Sequence, residues 1–328
     1  MSKFKLSEEA LERLEDGSEL IVSVSGGKDS TATCLFLFEN GYSTSDFKRI
    51  FADTGWESLE TYKYLDELEK TIGPIHRVSN ITPLDQFDDE TQAFILEEEA
   101  RLGRPSAMIR QVFKKYMWPS YFTKWCTREL KLDPLNQYFE TLENDFINVV
   151  GVRREESQKR SQVSEFEWNP HVDAWLWRPL YNWTEEDVID IHHRFGLVPN
   201  QLYLNGLSRV GCWPCIYADS KAAIKLLDQS RIDLIDRVER FLAQKTRAHY
   251  PADHKAQNVL INVEEKFGFL TRPFYRRGPI QEVYKWSRDE LSGQQLKLFD
   301  METKVNPGCA KWGLCDFTGS IRNFGGDQ

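Results

Sequence analysis

The chain has 328 residues, about twice the roughly 150 of a typical domain, so its length predicts two domains or one α/β domain with a substantial extension. With 51 acidic against 42 basic residues the formal charge is −9, which excludes a uniformly basic nucleic-acid coat and leaves only a local patch for any polyanion. Hydrophobic residues at 41% and charged residues at 28% give a globular balance, and no apolar run approaches the roughly 18 residues that span a bilayer.

The N-terminal stretch MSKFKLSEEALERLEDGS is charged and lacks an apolar leader core, so a cytoplasmic chain is expected, with a short amphipathic helix over 6–16. Glu19 to Val24 reads as a buried parallel strand. It runs straight into Ser25-Gly26-Gly27-Lys28-Asp29-Ser30 and an apolar helix that stops at Gly41. A second strand, 47–53, ends in Asp53-Thr54-Gly55; a helix over 58–72 and a short strand over 74–78 follow. This alternation predicts an α/β fold with a doubly wound parallel sheet and ligands beyond the C-terminal ends of its strands. Residues 83–120, first acidic and then basic and aromatic, break the rhythm and read as a helical insertion. The α/β pattern resumes with a helix over 132–142, a strand over 146–152 and the run Trp175 to Leu180. Thr184, with Asp187 three residues on, then caps a helix reaching about Phe195. From 207 onward come Cys212-x-x-Cys215, a long charged helix over 220–249, a helix over 253–266 and a tail rich in Trp, Gly and Cys. The expected division is therefore 1–206 as the α/β domain and 207–328 as a helical, cysteine-containing extension.

In the glycine turn, two glycines let backbone N–H groups approach an anion, the following helix offers its positive end and Lys28 adds a flexible charge. That is a phosphate cradle. It is neither the Walker A spacing nor Gly-x-Gly-x-x-Gly. The plain alternative, a tight turn with an incidental lysine, is disfavoured by its place directly after a buried strand. Six cysteines in a chain expected in the cytoplasm suggest metal, catalysis or burial before disulfides. Cys34, on the apolar helix, reads as core. Cys212 and Cys215 alone leave zinc, a redox dithiol and an iron–sulfur site open.

The run Ser25 to Ser30 resembles the SGGxDS signature of the PP-loop ATP pyrophosphatases, which share a HUP-type sheet and cleave ATP between its α and β phosphates. Asp53-Thr54-Gly55, Cys126 to Lys131 leading to Pro134, Gly151 to Ser157, Arg178-Pro179-Leu180 with Trp183 to Val188, and Gly211-Cys212-Trp213-Pro214-Cys215 narrow the resemblance to the branch containing the phosphoadenylyl-sulfate (PAPS) reductases. The resemblance covers roughly residues 18–220. The reductases usually carry a degraded glycine loop and a terminal Glu-Cys-Gly-(Leu/Ile)-His motif; here the loop is intact and the tail reads Gly308-Cys309 to Cys315-Asp316. The intact loop together with Gly211-Cys212-Trp213-x-Cys215 is similar instead to the ATP pyrophosphatases of DNA phosphorothioation systems of the Dnd and Ssp type.

The resemblance implies that Ser25, Gly26, Gly27, Lys28, Asp29 and Ser30 hold ATP phosphates with Mg²⁺, with Asp53 and Gly151 beside the nucleotide. Lys28, Asp29 and Arg153 are the implied catalytic residues, and Arg153 and Arg154 would grip the α phosphate or the acceptor anion. The bland readings are a surface run paired with Glu155 and Glu156 for the arginines, and a loop or helix cap for Asp53. Iron–sulfur relatives pair two adjacent cysteines with a later Cys-x-x-Cys. Cys126 matches the first of that pair and Thr127 replaces the second, so Cys126, Cys212 and Cys215 carry over as ligands of a [4Fe-4S] cluster. Cys309 or Cys315 would complete the set if Trp312 and Phe317 anchor the tail; otherwise the fourth iron is left free. Zinc is the alternative.

The expected function is an ATP-dependent sulfurtransferase that adenylates an acceptor oxygen, with DNA backbone phosphate as first choice and a cysteine desulfurase as sulfur donor. A DNA-processing protein is the other expected partner. The basic and aromatic stretch Arg272 to Arg277 with Lys285-Trp286-Ser287-Arg288 is the candidate DNA face, or else a solvated surface. The alternatives are a reductase of PAPS or adenylyl sulfate, and a non-catalytic nucleotide-binding subunit with structural zinc. The oligomeric state stays open.

Overall fold

The computed structural model of the chain describes residues 8–120, 122–170, 172–216, 220–267, 278–288 and 311–312. Helix α1 (Glu8–Glu15) precedes β1 (Glu19–Ser23), and α2 (Lys28–Glu39), β2 (Phe47–Ala52), α3 (Leu59–Ile72) and β3 (His76–Val78) complete the first half of the sheet. The insertion supplies α4 (Asp89–Leu102) and α5 (Ala107–Lys115); α6 (Trp125–Thr127) passes through a π turn, Arg128–Leu132, into α7 (Asp133–Phe139). Strands β4 (Phe146–Val150), β5 (Phe166–Asn169) and β6 (Ala174–Trp177) lead to α8 (Glu185–Arg194) and the short α9 (Gln201–Leu204). Helices α10 (Ser220–Lys225), α11 (Gln229–His249), α12 (Lys255–Phe267) and α13 (Ile280–Arg288) follow.

The sheet order is β3-β2-β1-β4-β6-β5, parallel throughout except for the antiparallel β5–β6 pair. The chain winds outward to one side of β1 and then to the other. The crevice above the ends of β1 and β4 is thus the switch point where such sheets bind ligands. Side chains alternate across β1. Leu20 and Val22 join α2, α3 and α8 in one core cluster, while Ile21 joins Phe139, Phe146 and Ala174 on the opposite face. Helix α2 has almost no polar side because Phe36 packs edge-on against Trp177 and Trp183, at 6.2 and 5.8 Å, while its other faces meet the sheet.

A third apolar cluster joins the insertion to the C-terminal helices. Ile95, Ile109 and Val112 from α4 and α5 share it with Ile232, Ile235 and Leu242 from α11 and with Trp56 from the β2–α3 loop. The insertion is two helices because Gly103, at φ 70°, ends α4 in the left-handed region and Ser106 caps α5. The predicted single helix over 220–249 is also two, since Asp228 accepts the Arg231 N–H and starts α11 afresh. Strand β5 was not expected: its sequence FEWN is too short and polar to declare itself, and pairing with β6 creates it. Among the described residues no helix is long and apolar enough to cross a membrane.

Candidate nucleotide and thiol site

The chain leaves β1 at Ser23 and turns at Gly26, whose φ of 71° favours glycine and whose Cβ, if present, would stand 2.9 Å from the Thr61 methyl. Serines close the turn: the Ser25 N–H donates to Ser30 Oγ at 3.1 Å and Ser30 Oγ donates to the Gly27 carbonyl at 3.0 Å. Asn200 Nδ2 donates to the Gly26 carbonyl at 3.3 Å, and the Tyr203 hydroxyl accepts the Lys28 N–H at 3.1 Å. The glycine loop is therefore held from outside by the start of α9.

Lys28 is only 6% exposed. Its ammonium donates to the Ser208 carbonyl at 3.3 Å, lies 4.9 Å from the centre of the Tyr203 ring, and is flanked by Asp29 at 3.6 Å and Glu185 at 3.5 Å. Lys311 reaches the other oxygen of Glu185 at 2.6 Å. Against burial, which opposes it, Lys311 and Lys28 hold the Glu185 carboxyl below the usual range. Trp312, the next residue, is 2% exposed, packed edge-on to His192 at 5.2 Å and beside Tyr203 at 5.9 Å.

Gly151 follows β4, and a Cβ there would fall 2.6 Å from the Asp29 carbonyl carbon and oxygen, so the backbone itself packs on the first turn of α2. Two residues on, buried Arg153 donates through Nε to Asp29 Oδ1 at 2.5 Å, also touches Glu155, and gives its backbone N–H to Glu156 at 3.0 Å. Arg154 departs from expectation. It is exposed, reaches Asn182 at 3.4 Å and lies over Tyr181, outside the cavity that Arg153 and Arg160 border. Asp53 is likewise not on the cavity wall: its carboxylate accepts the Gly55 N–H at 2.9 Å and the Tyr62 hydroxyl at 2.6 Å, which fastens the β2–α3 loop.

One cavity of about 680 Å³ runs from Ser25, Gly27, Lys28, Asp29, Ser30, Gly151 and Arg153 to Cys212 and Cys215, a size within the roughly 300–1,000 Å³ of small-molecule sites. The Cys-x-x-Cys loop is pinned to the β2–α3 loop by a bridge between Cys212 and Glu57 and by the Trp213 N–H donating to the Trp56 carbonyl at 2.8 Å. Cys212 Sγ is 3.8 Å from Glu57 Oε1 and 4.0 Å from Thr54 Oγ1. Lys131, from the π turn, stands among the thiols. It is held protonated well above the ordinary lysine range, first by Cys212 and, against the cost of burial, by Glu57, Cys215 and Cys126. Burial pushes the Cys212 thiol up to about 12 and raises Cys126 too, while Lys131 pulls both down. Cys34 is fully buried in the core, as expected.

Cys126, Cys212 and Cys215 thus share one electrostatic neighbourhood. Among the described residues, however, no group of three or more His, Cys, Asp or Glu side chains is arranged to hold a metal ion. As placed, Cys126, Cys212 and Cys215 do not fit an iron–sulfur or zinc cage by themselves. Cys309 and Cys315, like Phe317 and Arg272 to Arg277, lie outside the described residues. Lys285 and Arg288 do lie on α13, where Lys285 pairs with Glu282 and Arg288 covers Tyr284.

Sequence reasoning assigned no role to Glu57, Lys131, Glu185 or Tyr203. Only Lys131 and Glu185 sat in motifs, and the pairing of Glu57 with Cys212 across 155 residues has no local signal.

A family model described as the phosphoadenosine phosphosulfate reductase domain matches residues 19–218. The chain belongs to this family. It is 32% identical to an uncharacterized 37.8 kDa protein of Escherichia phage 186, over 76% of this chain and 86% of that protein. It is 26% identical to the adenosine 5'-phosphosulfate reductase of Mycolicibacterium smegmatis, over 51% of this chain and 60% of the reductase. A solved PAPS reductase from Candida auris aligns with a TM-score of 0.42 and 16% identity, covering 65% of this chain and 99% of that one.

Proposed function

We propose that this PAPS reductase family member is an ATP-dependent sulfurtransferase. The observation that carries the reading is the single cavity bordered by an intact SGGKDS loop at one end and by Cys212 and Cys215 at the other. An acceptor oxygen attacks the α phosphorus of ATP, pyrophosphate leaves, and Lys28 with the α2 N-terminus offsets the charge that builds on the leaving group. The terminal sulfur of a cysteine persulfide, loaded by a cysteine desulfurase, then displaces AMP from the acceptor. A second thiol attacks the resulting disulfide, freeing the thio-acceptor and leaving a protein disulfide that an external thiol reduces. The pair Cys212 and Cys215, two thiols on the wall of the same cavity as the glycine loop, suits these two sulfur steps. DNA backbone phosphate is the acceptor we favour, with Arg153 and Arg160 at the cavity wall as its anion partners.

The test is anaerobic purification followed by incubation with ATP-Mg²⁺, a cysteine desulfurase, cysteine and DNA. Pyrophosphate release and phosphorothioate linkages support the reading; absence of pyrophosphate with every sulfur acceptor tried overturns it. Iron, sulfide and zinc analysis of the same preparation decides whether a [4Fe-4S] cluster or zinc accompanies the thiols.

The likeness to the mycobacterial adenosine 5'-phosphosulfate reductase favours a second reading, reduction of adenylyl sulfate to sulfite. Sulfite formed from adenylyl sulfate with thioredoxin, and lost in Cys309→Ser or Cys315→Ser, would replace the first reading with the second.

A further inference from the structure

Six basic side chains border the cavity that joins the glycine loop to the thiols: Lys28, Lys131, Arg153, Arg160, Arg209 and Lys311. Four of them are tied to acids of the same wall. Lys28 lies between Asp29 and Glu185, Lys311 holds the other oxygen of Glu185, Arg153 meets Asp29 and Glu155, and Arg160 meets Glu156. Lys131 is enclosed with Cys212, Cys215 and Glu57, and Glu57 in turn accepts from Thr54 Oγ1 at 2.8 Å and from the Tyr62 hydroxyl at 3.0 Å. Every carboxylate on the wall is therefore engaged.

Arg209 stands apart. Its side chain is exposed and, among the described residues, makes no hydrogen bond, ion pair or ring contact. Its backbone, by contrast, is held on both sides. The Leu207 N–H donates to the Leu202 carbonyl at 3.1 Å, the Ser208 carbonyl accepts from Lys28 Nζ at 3.3 Å, and Leu207 and Val210 are buried. Three residues on, Cys212 is bridged to Glu57. The free guanidinium is thus carried by a short loop that touches the lysine of the glycine turn at one end and holds the first thiol of the pair at the other.

A phosphodiester acceptor is an anion that has to approach another anion, the α phosphate of ATP, so it needs a positive group that no fixed carboxylate already neutralises. Arg153 and Arg160 share their charge with Asp29, Glu155 and Glu156. Arg209 does not, and a guanidinium can give two parallel N–H groups to two oxygens of one phosphate.

We propose, on the sulfurtransferase reading above, that Arg209 is the residue that recognises the acceptor, binding its phosphodiester in the stretch of cavity between the glycine loop and the thiols.

A fluorescein-labelled single-stranded DNA oligonucleotide is titrated with wild type, Arg209→Ala and Arg209→Lys in the presence of α,β-methylene ATP over a series of salt concentrations, and binding of the ATP analogue alone is measured by calorimetry. Arg209→Ala is expected to bind the DNA about tenfold more weakly, with a salt slope smaller by about 0.7, the share of one single-strand phosphate. Its affinity for the ATP analogue should match wild type, since the side chain it loses is bonded to nothing else. Arg209→Lys should keep the slope and recover part of the affinity. Equal DNA affinity and slope in wild type and Arg209→Ala, no DNA binding by wild type, or a parallel loss of nucleotide and DNA affinity overturns the proposal. Adenylyl sulfate that binds Arg209→Ala more weakly while DNA binding is unmoved overturns it too, by assigning the arginine to a sulfate. The sulfurtransferase reading fails separately, on absent pyrophosphate release by wild type, which these titrations do not measure.

Discussion

Asp29 Oδ1 accepts a 2.5 Å hydrogen bond from Arg153 Nε, joining the first turn of α2 to the loop leaving β4 across 124 residues of chain. Both side chains are well shielded, Arg153 at 4% and Asp29 at 16% exposure. Removing one partner of such a pair costs about 3–5 kcal/mol, because the other charge stays buried. Arg153→Ala is expected near the lower end of that range, since Lys28 remains beside Asp29 at 3.6 Å. Urea unfolding reads the loss. A variant as stable as wild type that still binds ATP equally well would show the pair to be incidental.

Gly151→Ala should be among the most damaging single-methyl changes in the protein. Its Cβ would meet Asp29 backbone atoms at 2.6 Å, and neither β4 nor α2 can retreat without breaking the sheet or the loop. Gly211→Ala is the contrast, with nothing within 4 Å of its Cβ. Thermal melts should show a large loss for the first and almost none for the second; equal melts would mean that β4 and α2 yield easily.

His192 gives stability an acid limb. Burial lowers its pKa from 6.5 to about 4, while the bond from Nδ1 to the Val188 carbonyl at 2.7 Å and Asp29 act the other way. The unfolded chain takes up this proton below pH 6.5 and the folded chain does not until about 4. Stability is thus fully present above 6.5 and falls as pH drops through that window, by up to about 3 kcal/mol. The slope of unfolding free energy against pH should flatten in His192→Leu, and an unchanged slope would assign the acid limb to other groups.

Trp312 and Lys311 should differ sharply despite being neighbours. Trp312→Ala removes a ring that is 2% exposed and should cost about 3–5 kcal/mol. Lys311→Ala removes a half-exposed ion pair to Glu185, which is about 0–1 kcal/mol. Limited proteolysis should cut the C-terminal region of the tryptophan variant much faster than that of the lysine variant. Equal rates would mean that the ring does not anchor this segment.

What the sequence made legible was local. The strand, glycine turn and apolar helix from Glu19 to Glu39 are consecutive, so periodicity and one loop sufficed. The capping pair Thr184 and Asp187 was readable for the same reason, and the structure has both of its hydrogen bonds. Long-range approaches were not. The steric reason for Gly151, the grip of Asn200 and Tyr203 on the loop, and the meeting of Glu57 with Cys212 depend on segments more than a hundred residues apart. Asp53 and Arg154 stand within motifs placed at the site, yet a one-residue step from the cavity-lining Ala52 and Arg153 turns one toward Tyr62 and the other toward Asn182. Motif membership does not determine side-chain direction.

The β1–β4 pairing has a consequence for how the chain folds. Glu19 faces Phe146 in the sheet, so the glycine loop and the Arg153 loop meet only after 127 residues of chain have been closed. Closing a loop of that length is paid in entropy before its contacts return anything, which makes it a late event. The first β-α-β unit can form early from local contacts, but without Gly151 and Arg153 against Asp29 it holds half of the proposed phosphate cradle. The proposed nucleotide affinity should therefore emerge in the last phase of refolding, together with the burial of Trp177.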